Sequence, residues 1–127
     1  MMMTYGIERL VSDLRELGYE VEQVTDADGN QFAVMPKYTI EIGRFAGRVI
    51  SLGIMATADY PRTVASAIHV LADPQPLDKA DTKEKVRNIT DSKLGPDWRY
   101  WSHNFEWTEE RTTRRLISQI NGIFKDA

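Results

Sequence analysis

Helical periodicity appears at the two ends of this chain and nowhere between them, and that arrangement constrains the fold more than any other feature. Ile7, Leu10, Val11, Leu14 and Leu17 recur at spacings of three and four, one stripe of a helix, and Gly18 follows where a left-handed cap is commonly needed. At the other end Leu116, Ile117, Ile120, Ile123 and Phe124 line one face of a second helix. Thr108 is the expected N-cap of that helix, with Glu109 and Glu110 at the positive end of its dipole. The middle of the chain alternates instead. Tyr19, Val21 and Gln23 alternate with Glu20, Glu22 and Val24, the run Asp26-Ala27-Asp28-Gly29-Asn30 supplies turn chemistry, and Phe32 and Val34 resume an extended pattern. Tyr38, Ile40 and Ile42 alternate as far as Gly43, and the stretch from Phe45 to Ile54, rich in β-branched and apolar residues, predicts at least one more antiparallel strand. Ile68 and Val70, with Leu71, predict a last short one. The expected class is α+β: an antiparallel meander of three or four strands flanked by an N-terminal and a C-terminal helix, in a single domain over 1–127.

From Asp73 to Asn104 the texture changes. Pro74, Pro76, Gly95 and Pro96 interrupt regular structure, and Asp78 to Lys85 is a dense mixed-charge run, so a long irregular segment is expected there. Segments of that length within a compact domain tend to carry function. Trp98, Tyr100, Trp101, Phe105 and Trp107 fall within ten residues at its end, and large amphipathic rings of this kind dominate the energetics of protein interfaces.

Charge and composition remove several classes of function. The formal net charge is −3, so no global positive field draws phosphate backbones or an anionic membrane surface, and nucleic acid is not expected as a partner. No run approaches the roughly 20 apolar residues of a membrane span, the first residues lack the unbroken apolar stretch of a signal peptide, and a cytoplasmic location is expected. There is no cysteine, which removes a thiol nucleophile, a thiolate ligand and a disulfide. His69 and His103 are the only histidines, too few for a tetrahedral zinc site unless carboxylates join them, and neither a metal nor a cofactor is expected. Lying between Ile68 and Val70, His69 is expected to face away from the core, toward solvent. His103 beside Ser102 and near Asp97 makes a nominal nucleophile, base and acid set, but triad members converge from different elements and adjacency is poor support. Arg111, Arg114 and Arg115 read as a solvated helix face or as a docking patch for an acidic partner.

Three local features fit a known pattern: Tyr60-Pro61 after the strand ending near Ile54, Asn88-Ile89, and Trp101-Ser102 ahead of the last helix. In that order, with the flanking helix and strands, the chain resembles the ubiquitin-conjugating enzyme family, and the stretches Asp59 to Thr63, Ile68 to Val70 and Leu94 to Ser102 resemble a divergent prokaryotic branch of it. The resemblance implies a buried tryptophan at Trp101 and a catalytic thiol a few residues beyond Asn88-Ile89. Here the window from Thr90 to Asp97 holds Ser92 and no thiol, Val86 and Arg87 replace His-Pro before Asn88, and Val64 and Ala65 replace the double proline after Tyr60-Pro61. A serine hydroxyl with no base beside it is a far poorer nucleophile, so thioester transfer is excluded. What the resemblance then implies is a non-catalytic module in a prokaryotic ubiquitin-like conjugation or defence system. Its partner would be a ubiquitin-like or an activating-enzyme-like protein, met through Trp98, Arg99, Tyr100, His103 and Tyr60. The rivals are an enzyme using Ser92, His69 or His103, and an interaction protein that keeps only the scaffold.

Overall fold

A computed structural model describes residues 4–79, 81 and 88–127. Of the mixed-charge run only Asp78, Lys79 and Asp81 are among them; Val86 and Arg87 lie outside.

The fold is α+β. Helix α1 (Gly6–Glu16) leads into strands β1 (Glu22–Thr25), β2 (Gln31–Thr39), β3 (Val49–Met55), β4 (Ala67–Leu71), β5 (Ile89–Ser92) and β6 (Gly95–Ser102), and helix α2 (Thr113–Asp126) closes the chain. The six strands form one sheet in the order β1-β2-β3-β4-β6-β5, every pair antiparallel.

The expected stripes are the buried ones. Ile7, Leu10, Val11 and Leu14 of α1 and Leu116, Ile117, Ile120, Ile123 and Phe124 of α2 join Met35, Leu52, Ile68, Val70 and Trp101 in a single core. Gly18 takes φ +98°, and the Gly18 and Tyr19 amides donate to the Arg15 and Leu14 carbonyls, a Schellman ending that only glycine adopts without strain. At α2 the cap is displaced from the expected Thr108. Thr112 Oγ1 accepts from the Arg115 amide, so the helix starts four residues later than expected and Glu109 and Glu110 precede it. Thr112 is the residue whose hydroxyl stands three positions before an amide still lacking a partner.

The sheet departs from expectation in two places. Tyr38 belongs to β2, which runs through Pro36 by an irregularity in register between Met35 and Tyr38; residues 40–48 then form the connection to β3, and Ile42 is 45% exposed. The larger departure is the segment expected to be irregular, because 89–102 is a hairpin and β6 pairs along the whole of β4. Its second strand hid behind Pro96, Asp97 and aromatic residues on both faces. Ser92 pairs with Gly95 while Asp91 pairs with Arg99, so 96–98 have no partner on β5 although Trp98 still pairs with Leu71 of β4, and Pro96 falls in this irregularity, a place where proline is tolerated.

Along β6 the alternation sorts the aromatics. Trp101 stands opposite Ile68 and Ile89, packs on Phe124 of α2 and is fully buried, as the resemblance implied. Tyr100 stands opposite His69, on the face turned away from the helices. The same row continues to Gly53 on β3.

Candidate functional site

The face of the sheet away from the helices is not bare. A Cβ built on Gly53 would meet Leu94 Cδ1 at 2.8 Å and the Trp98 ring at 3.5 Å, so the β5–β6 turn folds back over β3 and uses the missing side chain to do so. Lys93 in that turn donates to the Asp28 carboxylate in the β1–β2 turn, linking the two edge hairpins across the face. Beneath this bridge lies a cavity of about 340 Å³, lined by Phe32, Met55, Ala67, His69, Ser92 and Tyr100 and rimmed by Asp26, Asn30, Asp91 and Lys93.

His69 is the centre of it. It faces opposite to Ile68 and Val70, as the alternation requires, but the expectation that this direction meets solvent is corrected: the turn above leaves it 6% exposed. Phe32 and Tyr100 set their rings at 85° and 72° to the imidazole, with centroids 4.9 and 5.4 Å away. Nδ1 and Ser92 Oγ are 2.7 Å apart, and Ser92 Oγ also accepts from the Leu94 amide at 3.1 Å. Burial pushes the imidazole down to about 4, against the pull of the nearby Asp26 carboxylate, so it is neutral at neutral pH.

Ser92 and His69 thus meet, a nucleophile and a base that strand separation kept apart in sequence. They lack the third member of a hydrolytic set. Among the described residues no carboxylate bonds to the imidazole, and a base held near 4 is a weak acceptor for a serine proton.

Each rim charge already has a partner. Asp26 accepts from the Asp28 and Asn30 amides at 2.9 Å and from Asn30 Nδ2 at 3.0 Å; although loss of water pulls its carboxyl upward, those bonds hold it below the usual range. Asp91 is held down by Lys79 at 2.7 Å, with Arg99 at 3.7 Å. Lys93 is held up by Asp28.

The five residues expected to meet a partner do not converge. Tyr100 lines the cavity and Trp98, partly exposed, roofs Gly53 beside it. Arg99 faces the other way, where Nε donates to Asp78 at 2.8 Å and Nη1 to the Pro96 and Trp98 carbonyls at 3.0 Å. His103 packs edge-on against Phe105 at 4.7 Å, beyond the end of β6. Tyr60 is corrected outright: it is 1% exposed, stacked on Trp107 and bonded to Thr113 Oγ1 at 2.6 Å, so no partner reaches it. Among the described residues no three His, Asp or Glu side chains gather to hold a metal ion, and no helix is long and apolar enough to cross a membrane.

Comparison of the chain with family models, with curated proteins and with solved structures returns no match. The fold itself defines an α+β protein, two helices on one face of a six-stranded antiparallel sheet with a ligand-sized cavity on the other.

Proposed function

We propose that this chain is a binding module that takes its ligand in the outer-face cavity and does no chemistry there. The observation that supports it is the pairing of Ser92 with a buried, neutral His69 that no carboxylate orients. That geometry makes a fixed recognition surface and a poor nucleophile. Two measurements test it. A fluorophosphonate probe should leave Ser92 unlabelled, and hydrolysis of p-nitrophenyl acetate should not differ between the wild type and Ser92→Ala. Amide-shift mapping against a fragment collection of mixed charge should place the responding residues at Ala67, His69, Ser92 and Tyr100. Labelling of Ser92, or responses clustered elsewhere, would sink the reading.

A second reading keeps the resemblance: a ubiquitin-conjugating-like scaffold without its thiol, holding a ubiquitin-like or activating-enzyme-like protein. The burial of Tyr60 against Trp107 and Thr113, and of Trp101 against Phe124 of α2, favours it, since both stand where that family is resembled. On this reading, incubation with an activating enzyme, ATP and a ubiquitin-like protein gives no covalent adduct on this chain, while a titration with the ubiquitin-like protein alone shifts amides of β6.

A further inference from the structure

The hydrogen bonds around Ser92 fix which way the cavity is polarised. One lone pair of Ser92 Oγ receives the Leu94 amide, and the remaining contact is His69 Nδ1 at 2.7 Å. If Nδ1 carried the proton, the serine would accept twice and its own hydrogen would have no acceptor among the described residues. With the serine donating to Nδ1, the hydroxyl and Nδ1 are both satisfied, and the imidazole proton sits on Nε2. Nε2 bonds to no protein atom among the described residues, yet it is absent from the fully buried polar atoms that lack a partner, which are Gln75 Oε1 and Trp101 Nε1. It therefore opens onto the cavity that His69 lines. A residue 94% hidden from solvent thus aims one unpartnered N–H donor into a space walled by Phe32, Met55 and Tyr100.

Charge narrows what can answer that donor. Asp26, Asp91 and Lys93 border the space, and each is already engaged: by its own turn, by Lys79 and Arg99, and by Asp28. The amide donors that hold Asp26 leave its negative charge in place, so an anion would leave water to face a like charge, and a cationic group brings donors rather than an acceptor to Nε2–H, while an uncharged acceptor loses little and gains that bond. The aromatic walls favour a flat ring, and about 340 Å³ is the small end of ligand cavities.

We infer that the outer-face cavity is selective for an uncharged, flat aromatic group bearing a carbonyl-type acceptor, which takes its hydrogen bond from His69 Nε2. This rests on the cavity being the binding site proposed above, and the probes are chosen so that the two ideas fail separately. Benzamide, benzoate and benzamidinium share a planar ring and differ in charge. In two-dimensional NMR titrations of the whole chain, millimolar benzamide should shift His69, Ala67 and Tyr100, with benzoate weaker by about tenfold or more through the Asp26 charge, and benzamidinium by about tenfold because it offers Nε2–H no acceptor. Long-range ¹⁵N imidazole spectra of the wild type should show His69 protonated on Nε2, and His69→Phe should lower benzamide affinity about tenfold if it folds. Equal or tighter binding of either ion overturns the selectivity and leaves the cavity as the site. Protonation on Nδ1 overturns the donor assignment without any variant. Silence of these residues toward all three probes overturns both proposals.

Discussion

At the residue scale, two buried polar groups set what a substitution does. His69 is neutral in the fold and has an ordinary affinity for protons once unfolded, so the unfolded chain binds the extra proton and stability rises with pH between the two values. Its contribution is fully present above about pH 6.5 and is lost as pH falls toward about 4. Asp26 from the β1–β2 turn works against the shift, and Lys93 and Tyr100 border the same space without reversing it. Urea titrations should show about 2 to 3 kcal/mol less stability at pH 4.5 than at pH 7.5, and His69→Gln should flatten that difference. An undiminished slope in the variant would assign the titration to another group. The second case is the chain from Tyr60 through Thr113 and Asp13 to Arg9. Thr113 gives its one hydroxyl proton to the Asp13 carboxylate at 2.7 Å, so at 2.6 Å Tyr60 must be the donor to Thr113. Arg9 holds the same carboxylate at 2.9 Å. Tyr60→Phe then removes a donor and strands nothing, costing about 1 kcal/mol. Thr113→Val leaves a buried phenol with no acceptor and should cost about 2 to 3 kcal/mol. Chemical denaturation of both variants and the double variant decides it: if the two single costs are equal, the direction assigned to this chain is wrong.

At the scale of elements, the informative piece is the β5–β6 hairpin, whose tip folds over β3 because position 53 has no side chain. Leu94 touches there with the far end of a flexible side chain, so a larger residue displaces the tip more than it destabilises the sheet. In Gly53→Val, hydrogen exchange at the Leu94 amide, which donates to Ser92 Oγ, should speed up about tenfold or more, while β2 amides stay protected. Unchanged protection at Leu94 would mean that the tip is held by Lys93 and Asp28 alone. The same hairpin marks where the sequence stops being readable. The helix stripes were legible because each reports burial against one partner and local spacing records it, while β2, β3 and β4 were legible as extended runs of apolar and β-branched residues, with β2 and β4 buried on both faces. β6 was not, because Trp98 and Tyr100 face outward while Trp101 faces the helices, so apolar residues occupy both faces and the period of two vanishes. His69 was read to the correct face of β4 and to the wrong environment. What covers it is a turn 23 residues away in the chain, brought there by the pairing of β4 with β6 and β6 with β5 and by the absence of a Cβ at Gly53. The site shared that fate: Tyr100 and Ser92 were visible as residues, but not their meeting with His69 and Phe32.

At the scale of the whole molecule, the question is whether the outward hairpin and the helical core unfold together. The three tryptophans answer for three different joints. Trp101 reports the contact of β6 with α2 through Phe124, Trp107 donates from Nε1 to the Pro61 carbonyl at 2.7 Å and stacks on Tyr60, and Trp98 lies over Gly53 at the hairpin tip. Between them they touch β3, β6, α2 and the connection before β4. The core gathers α1, α2 and side chains from every strand but β1, while β1 is fastened to β2 by its ladder. No element owns an apolar cluster of its own that would keep it folded after its neighbours left. Denaturant transitions followed by tryptophan fluorescence and by far-ultraviolet circular dichroism should therefore coincide, with one slope and one midpoint, as single domains of this size commonly show. Trp98→Phe, which leaves the other two reporters, should keep that coincidence. An earlier fluorescence transition present in the wild type and absent in Trp98→Phe would show that the tip opens as a unit before the sheet, and the cavity beneath it would then be a lidded one.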